Sequence, residues 1–365
     1  MYINEIHSLE NALIALQKEN EIKSILLFGC DMDKPSTHEL EAVLSKNNKP
    51  LIGGIFPEII ADGIRQVTGF VLIPLRHTLA VGVFESCTQP ADCVMDLEKW
   101  TGQQSIEPLS IFCFIDAFWS NKTQFMSGLY DMFGPFVKYL GGGAGSLSFK
   151  SMPCLFANQK IVQNAAVIGL MQEPMSIGVA HGWHPISDAI KVTETKGNSI
   201  ITLNWRPAFE VYSEQISEHS QKVITQENFF EIAKSYPLGL VNMDDEMLIR
   251  DPFATENGML HIVDEVPEGE YVRIMHGDMI SLLSGAELAM TEMGNNQNSD
   301  QDNLCIDCIS RVLFMKEDFN KELEILNRNQ PINGVLSIGE IANPGSSNLA
   351  LFNKTVVTAQ WEKTN

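Results

Sequence analysis

Apolar runs of four to eight residues, each closed by glycine, proline or polar turn residues, recur along the chain and predict strands. Three of them open a repeated unit: SILLFGC from Ser24, SIFCFIDAF from Ser110 and NLCIDCIS from Asn303. A helix-compatible segment follows in each copy, at His38, Thr123 and Asn320. A second strand rich in glycine then closes the unit, as LIGGIF from Leu51, LGGGAGS from Leu140 and NGVLSIGEI from Asn333. First strand to glycine takes about 30 residues in every copy, the size of a strand-helix-strand unit. The first and third copies share Glu-Leu-Glu, at Glu39 to Glu41 and Glu322 to Glu324, and a proline before the closing strand, Pro50 and Pro331. Further strand-like stretches start at Thr68, Leu79, Cys154, Ala165 and Leu349, and a meander broken by turn residues runs from Ser176 to Arg273. The clearest helix is Asp278 to Met293. Asp278 is placed to cap it, and Met279, Leu282, Leu283, Ala286, Ala289, Met290 and Met293 fall on one face. The polar run GNNQNSDQDN, Gly294 to Asn303, ends it as a surface loop. The pattern predicts an α+β fold of mixed or mostly antiparallel sheets, built from repeated strand-helix-strand units, with helices on the outer faces.

At 365 residues and 44% apolar, the chain has the means for a large core in one or two domains. Its net charge of −21 would repel nucleic-acid phosphates and an anionic membrane face, which excludes both as partners. The first residues, MYINEIHSLENAL, are acidic where a signal peptide is basic, and no apolar run nears the roughly 18 residues that span a bilayer. A cytoplasmic protein with no membrane insertion is expected. Seven scattered cysteines read as buried thiols rather than a disulfide framework.

The glycine cluster in KYLGGGAGSLSF, Lys138 to Phe149, fails as a phosphate cradle. No P-loop lysine follows Gly145, and Ser146 stands where a dinucleotide fingerprint needs glycine. Glycines that bring backbone close to other backbone, or to a small ligand, are the readings left: Gly53 with Gly54, Gly141 to Gly145 with Gly142 and Gly143 as the candidates for ligand contact, and Gly334 with Gly339. Cys305 and Cys308 form a CxxC with no second ligand pair, so no metal is expected. Cys308 lacks a general base at a legible spacing, and no enzymatic role is expected of it. Arg311, in an apolar run read as a core strand, is costly to bury unpaired. Pairing with Glu340 across adjacent strands would either staple the fold or recognise a zwitterion by its two ends. His181, His184 and His276 are the histidines placed to serve as axial haem ligands, against the plainer reading of hydrogen-bonded corners.

The runs CIDCISRVLF, INGVLSIGEIANPG and LFNKTVV, with LIGGIFPEI, YLGGGAGS and HGWHPISDAIKVTETKGNSIITLNWRPAFEVY before them, resemble FIST proteins in the same order. The resemblance covers nearly the whole chain and implies an N-terminal domain at residues 21–207 and a C-terminal domain at 208–358. The sequence departs from the family pattern at Ser146, at Phe352 and in the run Val335 to Ile338. The resemblance implies a prokaryotic sensory protein of signal transduction. It would bind a small ligand such as an amino acid, without a cofactor, and signal through a partner such as a histidine kinase. Arg311, Glu340 and Cys308 would hold the ligand beside the glycine turns, and Asn353 and Thr355 would add neutral hydrogen bonds. One branch of the family implies the alternative of a haem-binding nitric-oxide sensor.

Overall fold

The computed structural model describes residues 1–85, 87–241, 247–294, 303–343 and 349–362, and the counts below refer to these. The expected loop from Asn295 to Asp302 lies outside them, as does the Pro344-Gly345 end of the glycine-glutamate motif. One series of elements occurs three times. The first unit is β1 (Tyr2–Ile3), α1 (Ile6–Leu16), β2 (Ser24–Cys30), α2 (Thr37–Leu44), β3 (Leu51–Phe56), β4 (Glu58–Ala61), β5 (Ile64–Gln66) and β6 (Phe70–Leu75). The second is β7 (Ala80–Phe84), α3 (Pro90–Thr101), β8 (Ser110–Asp116), α4 (Lys122–Phe133), β9 (Lys138–Ala144), β10 (Leu155–Ala157), β11 (Lys160–Val162) and β12 (Ala166–Met171).

The third unit starts with β13 (Met175–Ala180) and is then interrupted by an insertion. This holds β14 (His184–Pro185), β15 (Ile190–Lys196), β16 (Ser199–Leu203), β17 (Arg206–Pro207), α5 (Ala208–Ser220), α6 (Phe229–Ala233), β18 (Leu238–Val241), β19 (Met247–Arg250), β20 (Pro252–Glu256), β21 (Met259–Ile262) and β22 (Tyr271–His276). The unit resumes with α7 (Met279–Met293), β23 (Asn303–Cys308), α8 (Ile309–Met315), a 3₁₀ turn (Lys316–Asp318), α9 (Phe319–Leu326), β24 (Ile332–Ser337), β25 (Glu340–Ala342), β26 (Ala350–Phe352) and β27 (Val356–Trp361).

The three units build three six-stranded sheets, ordered β1-β6-β2-β3-β10-β11, β7-β12-β8-β9-β25-β26 and β13-β27-β23-β24-β4-β5. Each has a parallel central pair, which is the expected strand-helix-strand repeat. In every sheet the last two strands come from another unit. The first unit gives its hairpin β4-β5 to the third, the second gives β10-β11 to the first, and the third gives β25-β26 to the second. The exchange closes into a cycle.

The repeat extends to single residues. Leu27 pairs with Gly53, Cys113 with Gly141 and Cys305 with Gly334. A Cβ at these glycines would lie 1.9, 1.6 and 1.7 Å from the partner's carbonyl oxygen, so only glycine permits this approach. One residue further along, Phe28, Phe114 and Ile306 come from the three units into one core. There the Phe28 ring meets Phe114 edge-on at 5.3 Å, and Phe56 closes the cluster.

Helix α7 forms as its sequence predicts. Asp278 accepts from the Ser281 amide while Ser281 Oγ accepts from the Asp278 amide, a capping box. Its buried Leu282, Gly285, Ala286 and Ala289 lie so close to β13 that a Cβ on Gly178 would come 1.8 Å from the Ala289 carbonyl. The stretch after Ser176 is indeed strand-rich, a nine-stranded sheet. It also carries α5, whose Ala208, Val211, Tyr212 and Ile216 are buried at helical spacing.

Candidate functional site

Arg311 lies on α8 and not on the strand expected for it; β23 ends at Cys308 and the chain turns into helix there. The expected pair with Glu340 does not form. The fully buried guanidinium forks onto Glu322 of α9, with Nε donating to Oε1 at 2.9 Å, and its remaining hydrogens go to the carbonyls of His181 at 2.7 Å and Leu282 at 2.9 Å. Burial alone would favour loss of its proton, but the Glu322 carboxylate outweighs that and holds it charged. Asp307 stands 3.4 Å from the same Nε. Burial, then the neighbouring Glu322, drives the Asp307 pKa well above the usual carboxylate range.

Glu340 is also fully buried. Ser337 Oγ donates to its Oε1 at 2.9 Å and the Thr355 amide to its Oε2 at 3.3 Å. Burial pushes its pKa up to about 8, although hydrogen bonds from Ser337, the Cys308 thiol and Thr355 pull the other way. The Cys308 thiol is itself driven well above its ordinary value, by burial first and by Glu340 second. A thiol so held is a hydrogen-bond donor and a poor nucleophile at neutral pH.

In front of Cys308 lies a cavity of about 370 Å³ between the insertion and the three-unit core. The second unit contributes Leu147 and Phe149, and the insertion Phe230, Asp251, Phe253 and Val263. The third unit supplies Cys308 to Ser310 and Leu313 of α8, with Ile338, Gly339 and Asn353 beneath. Leu147, Phe149, Phe230, Phe253 and Leu313 are exposed at its mouth. Phe149 has a left-handed backbone at φ 56°, a conformation that costs a bulky residue about 1–3 kcal/mol and that concentrates at functional sites. It sets the ring on Phe253, centroids 6.0 Å apart, and against Phe118.

Buried ions hold the cavity wall in place. Lys354 Nζ lies 3.2 Å from Asp251, whose Oδ2 also accepts from Ser310 Oγ at 2.8 Å. Lys122 at the start of α4 reaches Asp264 at 2.7 Å, and Asn353 Nδ2 donates to the same carboxylate at 2.8 Å. Burial opposes the Asp264 charge, yet Lys122 and Arg250 keep its pKa below the usual value. The Arg250 guanidinium in turn donates to the Leu351 carbonyl. Asn353 is 2% exposed, and its Oδ1 has no hydrogen-bond partner among the described residues. Such an orphan costs about 1–3 kcal/mol and asks for an explanation.

Of the residues singled out in the sequence, Cys308, Asn353 and Gly339 line this cavity. Glu340 and Thr355 lie directly behind Cys308, while Arg311 is sealed within the Glu322 cluster. Gly53, Gly54, Gly142 and Gly143 face protein instead: a Cβ would meet the carbonyl oxygens of Leu27, Cys154, Gly339 and Ile338 within 3.0 Å. Close backbone approach accounts for all four. The three histidines weighed as haem ligands stand apart from this cavity. His181 Nδ1 accepts from the Trp183 amide and the ring also meets the Met247 backbone, while burial, then Arg311, lowers its pKa to about 4. The His184 backbone pairs with that of His276 across β14 and β22, and the His276 ring lies tilted against those of His219 and Tyr236. Asp251 and Lys354 were missed, although each is a charge within a largely apolar strand-like run, LIRDPF and LFNKTVV, where a buried ion needs a partner.

No helix among the described residues is long and apolar enough to cross a membrane. No curated protein matches the chain. Two domain families do: the FIST N domain over residues 24–206 and the FIST C domain over residues 208–343. Position 207 falls inside the insertion, and the hairpin exchange ties together the strands on either side of it. The chain thus belongs to the FIST family, whose domains are associated with signal transduction and the sensing of small ligands.

Proposed function

We propose that this FIST protein senses a small metabolite, of amino-acid size, in the cavity between the insertion and the core, and does not act as an enzyme. The observation that carries the proposal is a space of about 370 Å³ with apolar walls drawn from three separate chain segments and few polar side chains, Asp251, Ser310 and Asn353, among its lining residues. A small pocket with few polar groups in an apolar lining is the usual form of a ligand site. The raised Cys308 pKa speaks against nucleophilic catalysis. A ligand held between Phe253 of the insertion and Leu313 of α8 would favour the closed arrangement of the two bodies. A protein partner such as a histidine kinase would then read the shift.

Thermal-shift and calorimetric titration with amino acids and related metabolites tests the reading, using wild type and Leu313→Trp, which fills the cavity from its rim. A ligand at about 100 times its Kd stabilises the folded state by about 2.7 kcal/mol, and the variant is expected to lose that response. No responding compound, or an equal response in the variant, would refute the site.

A further inference from the structure

Resting on that reading of the cavity, we infer that its ligand is an organic ammonium compound, a primary amine on an apolar body, and that a carboxylate is not part of what it recognises. The polar groups of the wall divide unevenly. Its side-chain donors are spent: Ser310 Oγ donates to Asp251 at 2.8 Å, and Asn353 Nδ2 to Asp264 at 2.8 Å and to the Phe352 carbonyl at 2.9 Å. The Cys308 thiol is turned to Glu340. Among the side chains of the wall, what remains free is an acceptor. It is Asp251 Oδ1, which receives no hydrogen bond among the described residues, since Ser310 and Lys354 both take Oδ2; Asn353 Oδ1, also without a partner, is sealed behind the wall.

Among the described residues, no Lys, Arg or His lines the cavity. Lys354 stays behind Asp251, with its ammonium also bound to the Lys234 carbonyl and set over the Trp183 ring at 5.2 Å. Arg311, the guanidinium that would suit a carboxylate, has its hydrogens committed to Glu322 and three carbonyls. A carboxylate placed here would be desolvated beside Asp251 with no side-chain donor to receive it, which is costly. An ammonium would meet the Asp251 carboxylate and the rings of Phe149, Phe230 and Phe253, aromatic groups of the kind that attract cations.

The test is calorimetry on the full chain with 2-phenylethylamine and 3-methylbutylamine against 3-phenylpropionate, phenylalanine and 2-phenylethanol, in wild type, Leu313→Trp and Asp251→Asn. The amines are expected to bind at least tenfold more tightly than the carboxylate, the zwitterion and the alcohol. Leu313→Trp should abolish this binding, and Asp251→Asn should reduce the preference for the amines over the alcohol at least tenfold. If the carboxylate, the zwitterion or the alcohol binds as well as the amines, and Leu313→Trp blocks it, the ammonium assignment falls and the cavity stands. If no probe binds, or Leu313→Trp binds them as wild type does, assignment and cavity both fall.

Discussion

Arg311 joins four parts of the third unit, because its guanidinium bonds at once to α9, to the chain after β13, to α7 and, at 3.4 Å, to the Lys354 carbonyl. Truncation to alanine leaves Glu322 buried without its counter-charge, a loss of about 3–5 kcal/mol by urea denaturation. Arg311→Lys should recover little, since a single ammonium cannot span the Glu322 fork and the carbonyls of His181 and Leu282 together. A lysine variant as stable as wild type would show that the fork contributes nothing. Glu340 gives a second test. A carboxyl whose folded pKa of about 8 exceeds its ordinary 4.5 holds its proton more firmly when folded. Its contribution is complete below pH 4.5 and is lost as pH rises through 8, at up to about 1.4 kcal/mol per pH unit. Glu340→Gln imitates the protonated acid. Urea midpoints measured from pH 5 to pH 8 should fall for wild type more steeply than for the variant, and parallel curves would place the Glu340 proton elsewhere.

The three parallel pairs demand glycine at one register position. Gly141→Ala would push a methyl group to 1.6 Å from the Cys113 carbonyl oxygen, whereas Gly169 on β12 has its nearest neighbour, a flexible Leu79 methyl, at 3.4 Å. Gly141→Ala should therefore lose at least about 3 kcal/mol or fail to fold, and Gly169→Ala should stay within about 1 kcal/mol, by thermal or urea unfolding. Equal effects would mean that the sheets relax freely around the added carbon. These strands were legible in the sequence because an apolar run and its closing glycine are local features. So was the α7 cap at Asp278. The shared Glu-Leu-Glu misleads, however. Glu39 sits in an exposed capping box with Ser36, while Glu322, on the matching helix of the third unit, is buried against Arg311. No local pattern separates the two, because the difference is made by the guanidinium that α8 brings in. The wall of the cavity was legible only in part for the same reason: Cys308 and Asn353 stand in motifs, but Phe149, Phe253 and Asp251 gain meaning only when the insertion docks.

At the scale of the molecule, the exchanged hairpins make the three units one cooperative body although the family domains divide at position 207. An N-terminal piece of residues 1–207 would keep β8 and β9 but lose β25-β26 from the edge of their sheet, and β13 would have no β27 to pair with. The complementary piece, 208–365, would hold β23 and β24 without β4-β5 or β13. Each would expose long unpaired strand edges and half of the core around Phe28, Phe114 and Ile306, which invites aggregation. Both pieces are thus expected to be insoluble or loosely packed when expressed alone, with little near-ultraviolet circular dichroism. Expressed together, they should co-purify as a complex with the near-ultraviolet spectrum of the whole chain. Two separately soluble pieces, each unfolding cooperatively, would contradict the cyclic exchange. They would also remove the means by which a ligand lodged against the insertion could influence the first two units, since that influence needs one continuous set of sheets on which the inserted body is latched through Lys122 and Asp264.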